Sequence, residues 1–133
     1  MRWVGVMRWV GAAWLCAASV DSLAQFHSTI SGVHPGDGAK ALDEALTLLA
    51  LERGGEAAKP DLAFVCVGTP FEGEFEALVD EAFERTRARV CLGILGAGVM
   101  GGGREREMAP CVSVSAGTLP PGSIATPFVF DGA

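Results

Sequence analysis

The chain has 133 residues, half of them hydrophobic, and this is enough to bury the core of one compact domain. Ten lysine and arginine residues against sixteen aspartate and glutamate residues give a formal net charge of -6. The cations form no tract that would follow a phosphate backbone, so the composition argues against nucleic acid as a partner.

The first residues of the chain have the pattern of a targeting signal. Arg2 and Arg8 precede an apolar stretch, and small residues follow at Ser22 and Ala24 with the spacing that a signal peptidase accepts. The apolar run is shorter than the roughly 20 residues of a membrane-spanning helix, so no stable membrane span is expected. This pattern predicts a secretory or plastid destination.

The domain boundary is placed after this signal. Residues 1–24 are predicted to be a signal-peptide-like or targeting segment, and residues 25–133 are predicted to form the folded domain. An artefactual upstream start is the alternative, because the five residues that open the chain recur almost at once, as residues 7–11.

The domain begins with a predicted strand and a predicted helix. Residues 26–30 alternate apolar and polar side chains, which is typical of a strand with one buried face. Asp37 follows a turn that contains His34, and its carboxylate can cap a helix that ends at Gly54. The apolar residues of this helix recur at helical spacing and form one stripe. They are Leu42, Ala45, Leu46 and Leu49.

A βαβ unit is predicted over residues 62–95. Residues 62–67 and 90–95 are apolar without alternation, as in strands that are covered on both faces of a parallel sheet. Apolar residues at helical spacing predict a helix over residues 72–89 between them.

Two further strands are predicted near the end of the chain, over residues 111–116 and 124–130. The predicted fold class is therefore α/β, with a mixed sheet in which antiparallel-type strands follow the βαβ unit, in an incomplete domain.

The glycine run after the second βαβ strand has two interpretations. Residues 96–101 match Gly-x-Gly-x-x-Gly directly after a strand, as in a dinucleotide-binding loop. That loop requires a packed helix next, yet Gly102 and Gly103 continue the run and residues 104–107 carry no apolar stripe. An NAD-dependent oxidoreductase fragment is therefore the lesser alternative.

The second interpretation is a family resemblance. The order of a capped helix, two apolar strands, the loop 98–107 with its Gly-Val-x-Gly-x-Gly-x-Glu pattern, and a strand followed by Leu119 and Pro120 resembles the N-terminal FIST domain. The resemblance covers about residues 26–130 and implies a partial FIST-like domain. It implies a non-catalytic, intracellular sensory domain that binds a small ligand such as an amino acid in signal transduction. An adaptor or substrate-recognition part of an F-box-type ubiquitin-ligase protein, with a protein partner, is the alternative.

The predicted ligand site lies outside the carboxyl ends of the two parallel strands, where open α/β sheets collect ligands. Backbone amides of the glycine loop are predicted to meet an anionic group there, with an arginine assisting. These residues are Gly98, Gly101, Gly102, Gly103 and Arg104. The alternative is that the glycines only turn the chain between strands.

No catalytic, metal-binding or cofactor-binding residues are predicted. A serine or cysteine nucleophile needs a nearby base, and the two histidines, His27 and His34, both lie near the start of the domain. Cys66, Cys91 and Cys111 each interrupt an apolar run without zinc-site spacing, and are predicted to be small buried hydrophobic residues.

Overall fold

The computed structural model describes residues 4–6, 25–54 and 59–128. In chain order its elements are β1 (Val4–Val6), β2 (Gln25–Ile30), α1 (Gly38–Glu52), β3 (Leu62–Gly68), α2 (Phe75–Thr86), β4 (Val90–Gly96), β5 (Gly98–Gly101), β6 (Arg104–Glu107), β7 (Val112–Thr118) and β8 (Thr126–Phe128). A 3-10 segment, Thr69–Glu74, joins β3 to α2.

Four of the strands form the central sheet, in the order β2-β7-β3-β4. Strands β3 and β4 are parallel, with Leu62 opposite Val90, and α2 connects them. Strand β7 is antiparallel to both of its neighbours, β2 and β3, so β2 runs in the same direction as β3 and β4. The mixed α/β sheet with its βαβ unit is therefore confirmed.

Both helices pack on one face of this sheet. Helix α1 contacts β2 and β7, α2 contacts β3 and β4, and the helices contact each other. Alternate residues of the strands point into this layer, since side chains of a strand alternate between the two faces. The strand residues of the main core are Ala63, Val65, Val67, Cys91, Val112, Val114 and Ala116.

Helix α1 begins as its sequence predicts. The Asp37 carboxylate accepts a hydrogen bond from the Lys40 amide at 3.0 Å, so it satisfies one of the free donors of the first turn. The turn before it is closed by a hydrogen bond of 3.1 Å from the Asp37 amide to the His34 carbonyl. The predicted apolar stripe is buried: Leu42, Ala45, Leu46 and Leu49 all face the sheet.

Helix α2 is shorter than the predicted range 72–89. Pro70 lies in the first turn of the 3-10 segment, and the α-helix begins only at Phe75. At the other end Arg87 has φ 57°, the left-handed conformation that ends many helices. Arg87 and Arg89, which are within the predicted range, therefore lie beyond the helix.

The first and last described strands, β1 and β8, form a separate antiparallel two-stranded sheet. Strand β8 covers the first part of the predicted strand 124–130, and residues 129–130 lie outside the described part of the chain. Strand β1 falls within residues 1–24, the segment predicted to be a targeting signal. The other residues of that segment, 1–3 and 7–24, lie outside the described part of the chain. Among the described residues, no helix is long and apolar enough to cross a membrane.

Candidate functional site

The glycine run after β4 folds into a β-hairpin. Strands β5 and β6 pair antiparallel, with Gly98 opposite Glu107 and Gly101 opposite Arg104. Gly102 and Gly103 form the two-residue turn, and their φ values of 55° and 74° are the positive angles that such turns require. A dinucleotide loop would lead into a helix at this point, whereas this chain leads into β5.

This hairpin crosses the sheet on the face opposite the helices. Strand β5 contacts β2, β3 and β7. The Val99 side chain is 1% exposed and packs in a second, smaller core with Ile30, Cys111 and Cys66. Because Cys66 lies between two β3 residues that face the helices, its side chain points to the other face.

Gly101 packs closely against the sheet. A side-chain carbon at this position would stand 2.6 Å from the Thr29 carbonyl oxygen and 2.9 Å from the Ser113 Cβ. Only a residue without a side chain fits there. Packing and the turn thus account for Gly101, Gly102 and Gly103, while their contact with a ligand stays a prediction.

The loops at the carboxyl-terminal ends of β2, β3 and β4 are all tied to one segment, residues 108–111. Three backbone hydrogen bonds make these connections: from the Met108 amide to the Ala97 carbonyl at 2.6 Å, from the His34 amide to the Pro110 carbonyl at 3.0 Å, and from the Gly68 amide to the Cys111 carbonyl at 3.0 Å. Met108 itself has φ 49° and is 67% exposed. At this edge of the sheet, the loops after the three strands are therefore joined to one another through residues 108–111.

His34 and Glu44 form a polar pair at the same edge. His34 Nε2 is hydrogen-bonded to one Glu44 carboxylate oxygen, and the other oxygen accepts from the Gly32 amide at 3.1 Å. The hydrogen bond with His34, followed by that from Gly32, holds the pKa of Glu44 below its usual value. The pair fixes the loop between β2 and α1 to the middle of α1.

Ser31, buried beside this pair, has its own structural partners. Its hydroxyl donates to the Gly32 carbonyl at 2.7 Å and accepts from the Val112 amide at 3.1 Å. A serine nucleophile would instead donate to a histidine or another base. This arrangement does not provide the nucleophile and base of a hydrolase.

Two arginines of β6 lie on the side of the hairpin that faces the sheet. Cross-strand partners share a side, so Arg106 lies on the side of buried Val99 and Arg104 on the side of Gly101. Arg104, the arginine predicted to assist ligand binding, is exposed. Arg106 is partly buried, and its Nε is buried with no hydrogen-bond partner.

The cysteines of the described residues are free thiols in different environments. Cys91 and Cys111 are buried, as predicted, and burial raises the pKa of the Cys91 thiol to about 11. Burial also raises the pKa of Cys111, an effect that the positive charge of Arg106 reduces. Cys66 is only partly buried, which the sequence did not predict. No cluster of three or more potential metal ligands is present in residues 4–6, 25–54 and 59–128.

Comparison with protein-family models, with curated proteins and with solved structures finds no match for this chain. The interpretation of the site therefore depends on its geometry.

Sequence reasoning selected Arg104 and missed Arg106. The two residues occupy equivalent alternating positions in a run of charges, and only the hairpin register shows which of them lies beside the second core. The sequence around the two arginines alternates positive and negative charges, so it contained no signal that distinguishes them.

Proposed function

We propose that this chain is a non-catalytic sensory domain that binds a small ligand, such as an amino acid, at the carboxyl-terminal edge of its sheet. The observation that carries the proposal is the convergence of the loops after β2, β3 and β4 on residues 108–111, beside a hairpin that crosses the sheet. Open α/β sheets bind ligands beyond the carboxyl ends of their parallel strands. The FIST-like order of motifs in the sequence supports the same class of protein.

The environments of the two histidines support a role without catalysis. His34 is bonded to Glu44, and His27 Nδ1 lies 3.8 Å from a Glu52 carboxylate oxygen at the far end of α1. Neither has a serine, threonine or cysteine among its hydrogen-bond partners in the described part of the chain. A ligand at this edge would therefore be held rather than transformed.

Thermal melting of the full chain against a panel of amino acids, NAD and NADP tests the proposal. A ligand that binds only the folded state must stabilise it, by about 2.7 kcal/mol at a concentration of 100 times its Kd. We expect a saturable rise in melting temperature with one or more amino acids. A rise with NAD alone, or with no member of the panel, would contradict the proposal.

Hydrogen exchange locates the binding site of any amino acid that stabilises the protein. We expect slower exchange in residues 96–111 and in the loop 31–37, since both border the proposed edge. The exposed face of α2 is the internal control, and its exchange should not change. Protection confined to α2 would place the ligand elsewhere.

A further inference from the structure

The position of Arg106 in the fold is defined by its partner residue in β5. Arg106 is opposite Val99, which packs against Ile30 and Cys111. Ile30 is the last residue of β2, and Cys111 immediately precedes β7, so both mark the carboxyl-terminal edge of the parallel strands. The positive charge of Arg106 lowers the pKa of the Cys111 thiol against the effect of burial, in agreement with this position.

Within the described part of the chain, the guanidinium of Arg106 has no partner for its buried donor. Its Nε is buried and forms no hydrogen bond. The ion pairs of the described residues involve His27, His34, Arg85 and Arg89, and not Arg106. The adjacent carboxylates, Glu105 and Glu107, lie on the opposite side of the hairpin because strand side chains alternate.

An unpaired buried donor on a charged group is costly, and buried cations in proteins are ordinarily paired. Part of Arg106 nevertheless remains exposed, so a molecule from solvent has access to it. A planar guanidinium presents parallel N–H donors whose geometry matches the two oxygens of a carboxylate. These properties together describe a site for a small anion.

We infer that Arg106 is the anchoring residue for the carboxylate of a small ligand at the carboxyl-terminal edge of the sheet. This inference rests on the proposed function for the existence of a small ligand, and adds the chemical group by which the ligand is held. Arg106 is assigned this position in place of Arg104, which is exposed at the end of the hairpin.

Acetate and acetamide provide the direct test, because they have nearly the same shape and differ in charge. The melting temperature of the full chain is measured against each at constant ionic strength. We expect a saturable rise with acetate and none with acetamide, since only acetate offers a charged acceptor to the guanidinium. Absence of an acetate effect on the unmodified protein would overturn the inference.

Two variants at the site and one matched control complete the test. We expect Arg106→Gln to raise the half-saturating acetate concentration about tenfold or more, because it removes the charged hydrogen bonds. Arg106→Lys keeps the charge and most of the stem but not the planar fork, so its response should be intermediate. Arg87→Gln removes the same charge from an exposed position near the amino end of β4, and should behave as the unmodified protein. An unchanged acetate response in Arg106→Gln, or in Arg106→Lys if the glutamine variant fails to fold, would overturn the inference.

The amino acid panel separates this inference from the proposed function. If an amino acid stabilises the unmodified protein and Arg106→Gln equally, the proposed function is retained and the inference about Arg106 is wrong. If acetate binds through Arg106 while no amino acid has an effect, the anion site stands and the proposed ligand class is wrong.

Discussion

The backbone at Gly101 lies against the carbonyl group of Thr29, so closely that a side-chain carbon on Gly101 would be 2.6 Å from the carbonyl oxygen. Thr29 is itself fixed from the other side of the sheet, where its hydroxyl donates to the Ala45 carbonyl of α1 at 2.7 Å. At Thr29 the edge strand β2 therefore contacts helix α1 on one face of the sheet and the hairpin on the other.

We expect Gly101→Ala to destabilise the protein by about 1–3 kcal/mol, the usual cost of forcing extra atoms into a packed site. The added methyl group must displace backbone of β2 rather than a flexible side chain. Urea unfolding measures the change. Gly73→Ala is the matched control, since nothing lies within 4 Å of its side-chain position, and it should alter stability by less than about 0.5 kcal/mol. Equal effects of the two substitutions would contradict the close packing of the hairpin.

We expect Gly93→Ala to destabilise the protein through a clash with Val79. A side-chain carbon at Gly93 would stand 2.6 Å from Val79 Cγ2 and 3.1 Å from Phe75 Cζ. Val79→Ala removes the first of these neighbours. In a double-mutant cycle measured by urea unfolding, the combined loss should be smaller than the sum of the single losses by at least about 0.5 kcal/mol. Strict additivity would show that α2 and β4 are farther apart than described.

The stability of the protein should fall in acid partly because of Glu44. Its pKa is lower in the folded protein than in the unfolded chain, so the folded form binds fewer protons. The stabilisation is present above about pH 4.3, the ordinary value for glutamate, and is lost as the pH falls through the lower folded-state value.

Urea midpoints measured between pH 7 and pH 3 test this dependence on Glu44. We expect Glu44→Gln to show a shallower decline in stability below pH 5 than the unmodified protein. The effect is modest, since the Glu44 side chain is 42% exposed to solvent. Glu107→Gln, on the exposed side of the hairpin, is the control and should retain the original decline. Identical slopes for all three proteins would contradict the role of the pair with His34.

The described cysteines should differ in their reaction with iodoacetamide. Thiolates are the reactive form, and Cys91, whose pKa is about 11, is both buried and protonated at neutral pH. Cys111 is fully buried with a raised pKa, whereas Cys66 is partly exposed. Peptide mapping by mass spectrometry should find Cys66 modified first, and equal labelling of all three in urea is the control. Early modification of Cys91 in the native protein would contradict this order.

The helix α1 and the βαβ unit were predictable because their signals are local. Asp37 lies where a capping carboxylate is required, and the apolar residues that follow recur with the period of a helix and not with that of a strand. The strand β3 is apolar throughout because the helices cover one face and the hairpin covers part of the other. Coverage of both faces was wrongly predicted for β4, which is an edge strand with Ile94 47% exposed. In each case the residues that define the element are neighbours in sequence.

Residues 98–107 were predicted to be a loop, whereas they form the hairpin of β5 and β6. Gly102 and Gly103 are a turn signal. The strand after them, Arg104–Glu107, alternates positive and negative charges and contains no apolar residue. Such a strand is stabilised by its partner β5 rather than by its own pattern. The side that Arg106 occupies follows from this pairing, so the candidate anchoring residue was beyond the reach of sequence reasoning.

The position of β7 has a consequence for how the chain reaches its folded state. This strand lies between β2 and β3, although its residues are 83 to 93 positions away from their partners in β2, from the pair Ile30 and Ser113 to the pair Gln25 and Thr118. During synthesis both neighbours leave the ribosome long before it does. The sheet therefore closes only after β7, Val112–Thr118, has been made, and contacts between such distant residues form slowly. Until then the edges of β2 and β3 expose unpaired backbone groups, which is the period in which the nascent chain is most prone to aggregate.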